Sequence, residues 1–262
     1  MKKYIIFILI ISLFNACESD SNDLAPSQGE AISPTGVAGS YARFLTIGDF
    51  LYIVDDQKLK TYSTVDAAKP WLVNEQVLGE GIESIFHTKG KLFIGSSSGL
   101  YIYTIQASGI PTETAFYSYD YPILPCDPVV ANDSLAFVTL NANQTDNSPC
   151  GGIIIEVNVL KVFDVTNLDD PLLIAEYPMT NPKGVGIDGS TLFVCDGEAG
   201  LKVYDFSDPV NLQLLMHYPG IDTYDVIPLN GLLIVVGPDN LYQFDYSDLN
   251  DIQLISKIAI GT

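Results

Sequence analysis

Gly200-Leu201-Lys202-Val203-Tyr204-Asp205-Phe206-Ser207-Asp208-Pro209-Val210-Asn211 is the stretch on which the fold turns. In it a Leu stands three residues before an aromatic, and a short oxygen-bearing side chain follows at once. The same trio occurs five times: Leu59/Tyr62/Ser63, Leu100/Tyr103/Thr104, Leu160/Phe163/Asp164, Leu201/Tyr204/Asp205 and Leu241/Phe244/Asp245. Successive aromatics lie 41, 60, 41 and 40 residues apart. A period near forty, carried by short strands, predicts radial repetition of a small sheet.

Around this stretch the unit reads as four strands: Lys183 to Ile187, Leu192 to Cys195, Leu201 to Tyr204 and Leu212 to His217. Turns fall at Asp188-Gly189 and from Gly197 to Gly200. Alternating apolar residues between Gly- and Asp-rich turns predict antiparallel hairpins. The other units run from Tyr41 to Leu78, from Ile82 to about Ser118, from near Val129, and from near Tyr224 to Ile260. Leu51, Leu92, Leu135, Leu192 and Leu232 are placed in matching positions on the second strands. The wide gap between Leu135 and Leu192 marks an insertion from Asn141 to Val157. A loop of that length without regular structure is often functional.

The expectation is therefore an all-β fold, a five-bladed β-propeller of four-stranded antiparallel blades spanning 41–262. The blades are set at about 41–79, 80–119, 120–178, 179–219 and 220–262. One such sheet cannot cover both of its faces, so the units must stack around an axis. The first unit opens with a first strand and the last closes with a fourth. The ring is thus expected to shut by packing between complete blades, without exchange of a terminal strand. Leu and aromatic, three apart, point to opposite faces, and both faces are apolar because neighbours cover both. The following Asp, Thr or Ser is expected to accept N–H groups in the next turn.

The Gly200–Asn211 stretch resembles the LVIVD-repeat proteins. So do Leu160-Lys161-Val162-Phe163-Asp164-Val165-Thr166-Asn167 and Leu51-Tyr52-Ile53-Val54-Asp55. The fourth unit matches best and the first two loosely: Thr104 stands where the fourth has Asp205, and Gly109-Ile110-Pro111 replaces the Asp-Pro turn. The resemblance implies a β-propeller of bacterial surface and secreted proteins, and it carries no catalytic motif.

The N-terminal region reads as an address. Lys2 and Lys3 precede an apolar run from Tyr4 to Phe14 that is short for a bilayer span. Leu13-Phe14-Asn15-Ala16-Cys17 resembles the lipobox of bacterial lipoproteins, which implies a signal peptide over 1–16 and lipid on Cys17. Residues 17–40 are too polar to bury a core and read as a flexible acidic tether. Glu18-Ser19-Asp20-Ser21-Asn22-Asp23 resembles the surface-export signal of Bacteroidetes lipoproteins. That implies an outer-membrane, lipid-anchored protein at the cell surface.

The formal net charge is −20, a field that repels phosphate backbones and argues against nucleic acid as a partner. Contact with the membrane is expected only through the lipid, and the chain is expected to be a monomer. Cys126 and Cys150 flank the insertion, and the export compartment permits a disulfide between them. Such a bridge contributes roughly 3 kcal/mol. Cys195 alternates as a strand residue and is read as apolar filler.

No HExxH or CxxC motif occurs, and Ser96-Ser97-Ser98-Gly99, a polar triplet before Gly that falls in a GxSxG pattern with Gly95, reads as an ordinary hairpin turn. His87 and His217 lack partners at ligand spacing, and Asp164, Asp169 and Asp170 do not follow calcium-loop spacing. No catalytic residue, metal or cofactor is assigned. The favoured site is the mouth where each outer strand passes to the next inner strand. Its candidates are Glu80, Glu83, Tyr119, Tyr121, Asp127, Lys183, Tyr218, Asp222, Tyr224 and Asp225. Aromatic faces beside carboxylates suit sugar rings or a peptide strand. The expected function is a non-catalytic binding or scaffold module for a glycan, a peptide or an envelope protein. Two alternatives stand beside it. One is a glycoside hydrolase pairing Glu83 with Asp127 or Asp225, and the other is a structural part of an envelope assembly.

Overall fold

A computed structural model describes residues 39–119, 128–141 and 157–261. Lipidation at Cys17 and the Cys126–Cys150 bridge fall outside the described residues, as do Tyr121 and Asp127. The unit Ser33–Thr262 holds twenty strands in five four-stranded antiparallel sheets. It is a five-bladed β-propeller.

Blade 1 comprises β1 (Phe44–Ile47), β2 (Phe50–Val54), β3 (Lys58–Ser63) and β4 (Trp71–Val77). Blade 2 follows as β5 (Ile82–Thr88), β6 (Lys91–Ser96), β7 (Gly99–Ile105) and β8 (Pro111–Ser118). Blade 3 is β9 (Val129–Ala131), β10 (Leu135–Asn141), β11 (Asn158–Asp164) and β12 (Leu172–Pro178). Blade 4 is β13 (Val185–Asp188), β14 (Thr191–Cys195), β15 (Leu201–Asp205) and β16 (Gln213–Tyr218). Blade 5 is β17 (Asp225–Leu229), β18 (Leu232–Val236), β19 (Asn240–Asp245) and β20 (Gln253–Ala259). Among the described residues every blade uses consecutive strands and no terminal strand is exchanged. The tight β5–β6 and β17–β18 hairpins place Lys89-Gly90 and Asn230-Gly231 at positive φ, as two-residue turns of primed type require.

The register corrects one alignment. Leu51, Leu92 and Leu192 face Tyr62, Tyr103 and Tyr204 across their strand pairs, but Phe163 faces Ala136 and Phe244 faces Leu233. Leu135 and Leu232 are one residue out of the common position and only half-buried, whereas Ala136 and Leu233 are fully buried. Where a strand is covered on both sides, two adjacent apolar residues leave the alternation ambiguous.

A β-bulge recurs in all five blades at one place. The pairing of third and fourth strands shifts between Thr61/Tyr62, Ile102/Tyr103, Val162/Phe163, Val203/Tyr204 and Gln243/Phe244. An extra residue there strengthens the local twist and bends the outer strand. The oxygen-bearing residue acts as expected in three blades. Asp164, Asp205 and Asp245 each accept the backbone N–H and the hydroxyl of the residue two further on, Thr166, Ser207 and Ser247. Thr104 instead bonds Lys91 and Thr114 along its sheet.

The core lies in four seams between blades. In each, the Leu of one blade points forward and meets the cluster holding the aromatic of the next, which points back. Leu59 packs with Tyr103, Leu100 with Phe163, Leu160 with Tyr204 and Leu201 with Phe244. The four Leu side chains are completely buried. Blade 5 makes no equivalent seam with blade 1 among the described residues. Leu241 and Tyr62, the two trio members left over, are only half-buried. Among the described residues the expected packing of the last blade on the first is not found.

Candidate functional site

The connections β4–β5, β12–β13 and β16–β17 all lie on one rim, together with the hairpins joining second and third strands. Asn141 and Asn158 end β10 and begin β11 on this same side, so the insertion leaves from this rim. The sequence-derived mouth residues on these connections fall into two groups.

Lys183, Asp222 and Tyr224 come together. The Lys183 ammonium lies 3.8 Å from the centroid of the Tyr224 ring and 3.6 Å from Asp222 Oδ1. The latter distance suits charge attraction and exceeds a hydrogen bond. Asp222 Oδ1 is buried without a hydrogen-bond partner. Tyr224 is 41% exposed, so its ring carries a cation near one face and meets water elsewhere. Close by, Asn181 accepts from Asn141 Nδ2 at 2.5 Å and donates to Glu198 Oε2 at 2.7 Å. That contact holds the Glu198 carboxyl below its ordinary range. Beneath them Asp196, wholly buried, accepts Thr180 N–H, Asn181 N–H and the Lys202 ammonium at 2.5 Å. The sequence reading missed Asp196, Asn181 and Glu198, because nothing in the local pattern marks a hairpin carboxylate as a buried anchor.

The other candidates among the described residues lie apart from this group. Glu83 and Tyr119 are buried, Glu80 is exposed and uses its carbonyl to accept Ser97 Oγ–H, and Tyr218 stands edge-on to Phe244 at 5.1 Å. Asp225 faces the axis, where Ser40 Oγ–H donates to its Oδ1 at 3.0 Å and the N–H of Val226 donates at 2.9 Å. Its carboxyl is pushed above the ordinary range by burial, against the pull of these donors.

Residues Gly39 to Arg43 form a strap across the axis. Val185 N–H donates to Ser40 Oγ, Ile85 N–H donates to the Ala42 carbonyl, and the Arg43 guanidinium reaches the carbonyls of Ile82 and Glu83. A Cβ at Gly39 would stand 1.9 Å from Asp225 Oδ2, so a larger residue there would have to displace that carboxylate. The strap binds blades 2, 4 and 5.

The opposite rim carries a feature that the sequence did not indicate. A shallow cleft of about 650 Å³ is lined by Lys89, Asn132, Asp133, Ser190, Phe206 and Pro209 from blades 2, 3 and 4. Lys89 and Asp133 form an ion pair at its edge. Among the described residues, no group of three or more His, Cys, Asp or Glu side chains is placed to hold a metal ion.

No family model matches the sequence, and no curated protein matches it. Solved structures do. The computationally designed Ika8 protein overlays with a TM-score of 0.59 at 9% identity, over 82% of this chain and 60% of its own. A protein from Lactobacillus plantarum gives 0.62 at 13% identity, over 81% and 69%. The periplasmic gluconolactonase of Pseudomonas aeruginosa gives 0.61 at 12% identity, over 82% and 68%. The chain therefore spans about three fifths to seven tenths of the length of these structures. At such identities the likeness is one of fold, and it places the chain among proteins of β-propeller architecture.

Proposed function

We propose that this chain is a non-catalytic binding module of the LVIVD-repeat kind, tethered to the outer surface of a bacterial cell by lipid on Cys17. Its ligand is a glycan or an extended peptide engaged at the rim of Lys183, Asp222 and Tyr224. The observation that carries this reading is the exposed Tyr224 ring, held beside an ammonium and a carboxylate on two connections that share one rim. A ring face with flanking charges stacks on sugar or peptide planes and orients them through directional hydrogen bonds. Asp225 supports a non-catalytic reading, because its Oδ1 is already engaged by the chain's own Ser40 and Val226.

The test is a glycan and peptide array probed with the exported protein carrying Cys17→Ser, followed by titration of any hit against Tyr224→Ala. Loss of about tenfold in affinity, some 1.4 kcal/mol, is expected. Binding that is indifferent to Tyr224→Ala would move the site elsewhere, and an array without hits would remove the reading.

A further inference from the structure

The strongest unexplained feature lies away from the rim, on the two outermost blade faces. Each internal seam mates one kind of surface with another. Blade 1 offers blade 2 Tyr52, Val54 and Leu59, and blade 4 offers blade 5 Phe193, Cys195, Leu201 and Val203. The forward face of blade 5 repeats that surface with Ile234, Val236, Leu241 and Ile258, yet the first three are half-buried and Ile258 is 49% exposed. The rear face of blade 1 repeats the receiving surface with Phe44, Leu51, Ile53 and Tyr62. Phe44 is 64% exposed, whereas its counterparts by register, Ile85, Val129, Val185 and Val226, are at most 1% exposed.

Stacked repeats that end in water carry polar outer faces, because a bare apolar end draws other chains to it. Among the described residues neither end of this stack is capped in that way. The two ends also differ from each other, one forward and one receiving, as the two sides of every internal seam differ.

We propose that a second copy of this chain covers these faces, with Leu241 and Ile258 of blade 5 seated on Phe44 and Tyr62 of blade 1 in the next copy. The occupant follows from continuity with the interface that the chain already makes four times: the surface complementary to a forward blade face is a receiving blade face. The contact is heterologous, so it joins copies head to tail and closes into a ring only if the rotation per copy allows. The proposal is independent of the rim and of its ligand.

The discriminating experiment is sedimentation velocity over a concentration series with the exported Cys17→Ser protein and two variants, Phe44→Glu and Ile258→Glu. Both substitutions fall at exposed positions, so unchanged melting temperatures are expected to certify the folds. The parent is expected to associate as concentration rises, and each variant alone to remain monomeric. An equimolar mixture of the two is expected to form dimers and nothing larger, because one intact forward face then meets one intact receiving face. A parent that stays monomeric to its solubility limit would overturn the proposal, and so would association that survives either substitution. A mixture that stays monomeric would overturn the head-to-tail arrangement.

Discussion

Ser40 and Asp225, 185 residues apart in sequence, meet at the centre of the propeller, where Ser40 Oγ–H donates to Asp225 Oδ1 at 3.0 Å. The carboxyl is desolvated, and its affinity for a proton is raised above that of an ordinary carboxylate. The folded state thus holds this proton more tightly than the unfolded state. Stability contributed by the group is greatest at low pH. It declines as pH rises from the ordinary carboxylate value through the raised folded value, and is level beyond. Asp225→Asn removes the titration while keeping an acceptor for Ser40. Urea midpoints measured against pH are expected to show the variant gaining on the parent across that window. Parallel curves would mean that Asp225 carries no such burden.

The four internal seams predict a difference between two leucines of identical local pattern. Leu201→Ala is expected to cost about 2–5 kcal/mol, as for a fully buried Leu leaving a cavity. Leu241→Ala is expected to cost about 1 kcal/mol, since it is only half-buried and part of its surface already faces water. Chemical denaturation at concentrations where the chain is monomeric decides this, and equal losses would mean that blade 5 is covered from within the chain.

Gly184 lies where the inner strands of blades 4 and 5 run closest. A Cβ there would meet Asp225 Cα at 2.6 Å and the Tyr224 carbonyl at 2.7 Å. Both obstacles are backbone and cannot swing aside. Gly184→Ala is expected to lose about 1–3 kcal/mol through overpacking, seen as a lowered denaturation midpoint. A neutral result would show that these strands part easily.

Acid should act on the three repeated turn carboxylates. Asp164, Asp205 and Asp245 are held below the ordinary range by the hydroxyl and N–H of Thr166, Ser207 and Ser247. The stability that they add is present above the unfolded carboxylate value and is lost as pH falls through the lower folded values. The triple Asp→Asn variant is expected to show a flatter acid limb in thermal melts. An unchanged limb would remove the turns from the account of acid unfolding.

Cys195 is completely buried and its thiol is pushed well up, chiefly by desolvation. The thiolate is the reactive form, so iodoacetamide mapping by mass spectrometry is expected to find this residue unmodified in the native protein and modified in urea. Rapid native labelling would show that the seam of blades 4 and 5 opens readily.

Much of the fold was legible because its signals are local. Five trios near a forty-residue period mark the blades, and alternation within each strand assigns Leu and aromatic to opposite faces. The turn role of Asp205 was readable from a polar side chain just past a strand. The recurrent bulge was not, since it depends on how two strands pair and neither strand records it alone. Lys183, Asp222 and Tyr224 could be grouped from connectivity, as they sit on connections that share a rim. Asp225 carries the same kind of side chain on the same kind of connection, yet it is spent on holding Ser40.

The chain's own pattern sufficed for the number of blades and the strands in each, because these follow from backbone pleat and turn chemistry within a few residues, whereas the faces of Leu135 and Leu232 needed the strand register. Which faces are dry is a different matter. Leu201 and Leu241 each stand three residues before an aromatic and an Asp, but one is sealed by the next blade and the other is not. Burial depends on what the rest of the molecule brings to a face, and that is settled by contacts between residues far apart along the chain.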